Sequence, residues 1–169
     1  MGMTENAEAR MIGNTGRIGR RRHAARSTSM PKRIFINLPV ADVAASTAFY
    51  EAIGFERNDR FSNEQASSMV WSDSIHVMLL AKPFFATFTE KTIVNATTST
   101  TGHYALSFDS RDAVDAIASA AVAAGGREVH GPQDLGFMYS RAFEDPDGHG
   151  FGPFWMDPAA AHGGPPDQG

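Results

Sequence analysis

Cysteine is absent from this 169-residue chain, and that one absence removes disulfides, thiolate zinc sites, iron–sulfur clusters and a cysteine nucleophile. Any metal would have to be held by histidine and carboxylate. No apolar run approaches the roughly 18 residues that cross a bilayer, so a membrane span is not expected. An excess of basic charge is also missing. Fifteen Lys+Arg stand against nineteen Asp+Glu, a formal charge of -4, which offers no overall electrostatic attraction to nucleic acid. What remains, 42% hydrophobic and 20% charged residues, is the composition of one ordinary soluble domain.

The charge is unevenly placed. Residues 1–33 carry eight Lys+Arg and two Glu, or +6, which leaves -10 on the rest of the chain. This leader has no aromatic residue and no apolar periodicity, so it cannot bury enough surface to offset the entropy of ordering. Residues 1–30 are therefore expected to be a disordered basic leader. Arg20-Arg21-Arg22-His23 is followed by Ala24-Ala25-Arg26-Ser27, not by the apolar stretch that a secretory or twin-arginine signal needs, and a cytoplasmic protein is expected. A nucleic-acid arm and an alternative start at Met30 stay open as readings of this segment. Residues 158–169, rich in Ala, Gly and Pro, are read as a disordered tail.

Between these ends, one order of elements occurs twice. Ile34, Ile36, Leu38 and Val40 alternate along a strand. Asp42 stands where a helix N-cap belongs, and Gly54 stops the helix. Strands are expected over 55–61, 68–72 and 75–81. In the second copy, Tyr104, Leu106 and Phe108 alternate, Ser110 caps a helix carrying Val114, Ile117, Ala118 and Ala121, and Gly125-Gly126 end it. Strands follow over 127–130, 137–143 and 151–155, with turns at Gly131-Pro132 and Asp145-Pro146-Asp147-Gly148. Leu38-x-Val40-x-Asp42 aligns with Leu106-x-Phe108-x-Ser110 at an offset of 68 (106 - 38). The domain, 31–157, thus reads as two modules, 33–81 and 103–157, joined by a linker, 82–102. In that linker, Phe84, Phe85 and Phe88 suggest a packed lid or a dimer contact, and the Thr/Ser-rich run 95–101 is expected to be mobile.

Leu38-Pro39-Val40-Ala41-Asp42 followed by Phe49-Tyr50 and Ile53-Gly54-Phe55 resembles the opening of a vicinal oxygen chelate module. Phe143-Glu144-Asp145-Pro146-Asp147-Gly148-His149 resembles the turn before the last strand of that superfamily, which includes glyoxalases, bleomycin-resistance proteins and extradiol dioxygenases. The resemblance implies an α+β fold in which two βαβββ modules form a curved open mixed sheet with helices on the convex face and a small-molecule cavity on the other. Metal-using members place one ligand on the first and one on the last strand of each module. Carried over, those positions are Phe35, Met78, His103 and Gly152, and only His103 has a donor atom. A cavity with no metal and no cofactor is expected. A set built from His76, His103 and Glu144 is the remaining way to recruit an ion.

The cavity residues implied are Phe35, Asn37, His76, Met78, His103, Ser107, Tyr139, Arg141, Gly152 and Phe154. Tyr139 and Arg141 share one side of their strand. If that side is concave, Arg141 can anchor a carboxylate or phosphate; if not, it forms an ion pair. His103 is either a lining residue or a general base. The expected function is small-molecule binding of the bleomycin-resistance kind, by a homodimer, with no nucleic-acid or membrane partner. The alternative is a metal-dependent lyase or dioxygenase of the same superfamily working through His103.

Overall fold

The computed structural model describes residues 31–100 and 102–163. The basic leader, 1–30, lies outside the described residues. Strand β1 (Ile34–Val40) is followed by helix α1 (Val43–Ala52), a two-residue β2 (Glu56–Arg57), β3 (Ala66–Ser72) and β4 (Ile75–Ala81). The second module repeats the order with β5 (His103–Phe108), α3 (Arg111–Ala123), β6 (Arg127–Asp134), β7 (Met138–Glu144) and β8 (Gly150–Met156). Between the modules lies a one-turn helix, α2 (Lys82–Phe85). The sheet is realised as two open four-stranded halves of identical topology, β1-β4-β3-β2 and β5-β8-β7-β6. In each, the first and last strands of the module run parallel and the other pairs antiparallel.

Local chemistry accounts for the elements. The Asp42 carboxylate accepts from the Ala45 amide and the Ser110 hydroxyl from the Ala113 amide, so each helix begins where an orphan N–H finds an acceptor. Where a strand is expected over 55–61, only Glu56–Arg57 pairs. The Asn58 side chain accepts from the Arg60 amide and curls Asp59–Phe61 into a 3-10 turn. Gly131-Pro132 does not end a strand; it lies within β6, whose pairing to β7 is irregular there, as an edge strand tolerates. Residues 158–163, read as tail, form a short helix (α4, Pro158–Gly163). Asp157 accepts there from the Ala159 amide through its side chain and from the Ala161 amide through its carbonyl.

One core serves both modules. Leu38, Val40, Phe49, Tyr50, Met69, Val77 and Leu79 of the first pack with Leu106, Ile117, Ala118, Phe143 and Phe151 of the second. Tyr50 is fully buried and meets Phe151 edge-on, with ring centroids 5.9 Å apart. Its hydroxyl donates to Asp145 at 2.9 Å. Asp145 also accepts from the amides of Asp147 (3.0 Å) and His149 (2.8 Å). Asp147 reaches back to the first module, accepting from the Ala41 amide at 2.7 Å and the Ser46 hydroxyl at 2.9 Å. The 145–149 turn of one module therefore grips the start of the helix of the other.

Burial raises the Asp145 carboxyl above its ordinary 3.8, against the pull of His149 and of the donors it accepts from. Burial, with Asp145 beside it, pushes the Tyr50 phenol far above 10.0, so the phenol remains a donor. Two outcomes are expected. Tyr50→Phe removes one donor from a buried acceptor and should cost about 1–2 kcal/mol in urea unfolding. Because native Asp145 binds its proton more tightly than the unfolded chain does, its contribution is fullest below the ordinary carboxyl pKa and falls as pH rises through the raised native value. Asp145→Asn should flatten that decline when unfolding is followed from about pH 3.5 to pH 7.

Candidate ligand site

Each sheet has one face on the shared core and one face turned away from it. On β1, Ile36, Leu38 and Val40 point inward, which leaves Phe35, Asn37 and Pro39 on the open face. The register sets Phe35 opposite His76, Asn37 opposite Met78, and Met78 in turn opposite Ser68. In the second sheet, His103 lies opposite Gly150, Ala105 opposite Gly152, and Ser107 opposite Phe154. Phe35 and His103 thus occupy the same place in their modules, as do Met78 and Gly152. These four matched positions carry phenyl, thioether, imidazole and hydrogen.

The two halves are differently furnished. In the first, the Phe35 ring lies flat on His76, with centroids 4.7 Å apart and planes 12° from parallel. His76 is buried beneath it, and its Nε2 finds no hydrogen-bond partner among the described residues. In the second, the His103 imidazole lies over the glycine pair of β8. A Cβ built on Gly152 would stand 2.6 Å from His103 Nε2, and one on Gly150 3.0 Å from Nδ1. The ring occupies the space in which a side chain at 152 would begin. Beside it is a hollow of about 330 Å³ bounded by His103, His130, Met138, Ser140, Phe154 and Met156, with Ala105 and Gly152 in its floor. A flat, soft-lined trough of this kind can take an apolar or aromatic body, with imidazole and hydroxyl groups at its edge.

Arg141 lines this hollow but Tyr139 does not, and the functional ends of both side chains are engaged elsewhere. Their side of β7 faces α3, where the Tyr139 hydroxyl donates to Asp115 at 2.9 Å. The Arg141 guanidinium is shared between Asp115 (3.1 Å) and Glu128. Burial works against the Arg141 charge, but the bonds to Glu128 and Asp115 outweigh it and raise the pKa. Arg141 is thus engaged in an ion pair and is not available as an anion anchor. Of the remaining residues, Phe35, Asn37, His76 and Met78 share the open face of the first sheet, while His103, Ser107, Gly152 and Phe154 share that of the second. No strand pairing joins the two sets.

The donor set does not fit a divalent ion. Phe35, Met78 and Gly152 offer no oxygen or imidazole, and His76 and His103 belong to different sheets. Glu144 is held by Arg127 at 2.6 Å. Among the described residues, no three His, Asp or Glu side chains converge as ligands.

Sequence reasoning missed the polar surroundings of the linker. Segment 82–100 crosses between the modules as a strap. Asn95, expected in a mobile run, accepts from the Thr97 amide and hydroxyl through its side chain and from the Thr98 and Ser99 amides through its carbonyl. Residue 101 is outside the described residues. Asn37 and Pro39 face this strap, and His149 Nε2 lies 2.9 Å from the Pro39 carbonyl. The signal that could have found the strap is the Asn95-x-Thr97 spacing, which suits a side-chain-to-backbone turn.

Comparison with known proteins agrees with this architecture. A protein from S. aureus described as hypothetical protein SA1046 is 24% identical over 76% of this chain and 96% of its own, with a TM-score of 0.65. A glyoxalase/bleomycin resistance protein/dioxygenase family enzyme from Burkholderia phytofirmans is 19% identical over 75% and 99%, with a TM-score of 0.61. The bleomycin resistance determinant encoded on transposon Tn5 is 19% identical over 75% and 98%, with a TM-score of 0.54. At these identities the likeness is one of fold. No curated protein matches the chain. A family model does, over residues 33–152, and the chain belongs to the Glyoxalase/Bleomycin resistance protein/Dioxygenase superfamily.

Proposed function

We propose that the protein binds a small organic molecule without a metal, in the manner of the bleomycin-resistance branch, as a cytoplasmic homodimer. The observation that carries this reading is the chemistry of the four matched positions. Three hold Phe35, Met78 and Gly152, and the fourth, His103, is laid over the glycine floor. A lone imidazole with water around it competes poorly with bulk solvent for a cation. The metal-dependent lyase or dioxygenase reading needs donors that these positions do not carry, so no reaction step is assigned to His103. The ligand class that suits the hollow is a flat, partly aromatic molecule, stacked against the imidazole and Phe154 and touching the thioethers of Met138 and Met156.

The dimer reading is supported by the exposed apolar side chains of the edge strand β1. Phe35, on the open face, is 49% exposed, and Ile34, on the other face at the start of the strand, is 52% exposed. Apolar side chains of this size at a sheet edge call for a cover, which a second copy would supply.

Three results are expected. Isothermal titration of the purified full chain with nickel, zinc, manganese and iron(II) should show no stoichiometric site, and none of these ions should raise the melting temperature. One tight site that is lost in His103→Ala would overturn the metal-free reading. In sedimentation velocity, the chain should run as a dimer and Phe35→Glu as a folded monomer; a monomeric parent chain would remove the homodimer. Gly152→Ala should push the imidazole off the floor and shift the His103 ring resonances without unfolding the protein, and unmoved resonances would contradict the described packing.

A further inference from the structure

We propose that the hollow beneath the 82–100 strap is a second binding site, and that it takes a small organic monoanion with an apolar body. This site is separate from the trough over the second sheet and rests on separate observations. The hollow, of about 300 Å³, opens between the end of β1 and the start of β5. Pro39, Phe85, Ile93, Val94 and the Tyr104 ring form the apolar part of its walls, with Asn37 and His149 beside them. That volume holds a fused bicyclic ring or a medium-length alkyl chain and is within the lower range of small-molecule pockets.

Among the polar residues that line it, two have functional groups not engaged elsewhere. Lys91 lines the hollow and makes no ion pair among the described residues, and the Tyr104 hydroxyl makes no hydrogen bond among them. Partial burial, with Asp145 nearby, raises the Tyr104 phenol pKa, so its hydroxyl stays a neutral donor. Lys91 is the cation among the lining residues. A ligand with one carboxylate would pair its charge with Lys91 and lay its apolar body on Tyr104 and Phe85.

The strap is built to hold this shape. Its 95–99 turn is closed by its own hydrogen bonds. It also sits directly on the 145–149 turn. Gly148, with φ +95°, faces the Ala96–Thr97 peptide so closely that a Cβ would stand 2.6 Å from the Ala96 carbonyl carbon. The roof of the hollow is thus seated on the turn that joins the modules, and the cavity has a fixed wall on each side.

The test is an amide NMR titration of the full chain with naphthoate, with naphthylmethylammonium as the probe of equal body and opposite charge. Naphthoate should give saturable shifts centred on Ile93, Val94 and Tyr104, the ammonium should not, and Lys91→Met should weaken naphthoate by about fivefold. Shifts centred on His103, Gly152 and Phe154 would place the ligand on the open face, overturning this site while leaving the proposed function intact. Equal binding of the cation, or an unchanged affinity in Lys91→Met, would remove the anion assignment. No saturable shift at the strap would remove the site.

Discussion

The arrangement of the two modules depends on a pair of carboxylates in a five-residue turn. Burial raises the pKa of Asp145, and the phenol and two amides it collects offset part of that desolvation with hydrogen bonds it could not assemble in the unfolded chain. Asp147, two residues on, spends both oxygens on the other module. The consequence is mechanical. Helix α1 is fixed at its N-terminal end by groups from the opposite half, and the aromatic core of Tyr50, Phe49, Phe143 and Phe151 closes over the same contact. Each half supplies what the other lacks, which is why neither sheet stands as an independent unit.

With the core facing inward, the outer faces of the sheets are free for binding, and duplication gives each the same frame with different contents. In the first half, an aromatic side chain covers a histidine; in the second, a histidine covers glycines. Both choices bring flat π surfaces to these positions. On the proposed reading, dispersion and stacking over several contacts would carry binding there, and shape would count for more than charge.

Much of this was legible in the sequence, and the exceptions have a common cause. The alternation of Ile34 to Val40 and of Tyr104 to Phe108, the caps at Asp42 and Ser110, and the 68-residue offset are local signals, and the structure reproduces each of them. Strand alternation also showed that Tyr139 and Arg141 share a side. It could not show which side, because that is decided by Asp115 on α3 and Glu128 on β6, which come near only after folding. The 145–149 turn was readable as a turn, but its partners Tyr50 and Ser46 lie about a hundred residues away. What Gly152 does came from the reach of the His103 ring across a parallel pair, a distance that no spacing in the chain encodes. The 3-10 turn at Asp59–Phe61 was missed because one Asn58 side chain outweighed a strand-like composition.

The imidazole resting on Gly152 also bears on how this lineage can change. A carboxylate introduced at 152 meets the ring before it meets any ion, and a carboxylate at 78 arrives with no partner across the sheet. A chelating centre therefore cannot be built here by single replacements that each help: the ring must be moved first, with nothing gained until several donors are in place. One backbone hydrogen thus sets the order in which such substitutions would have to come.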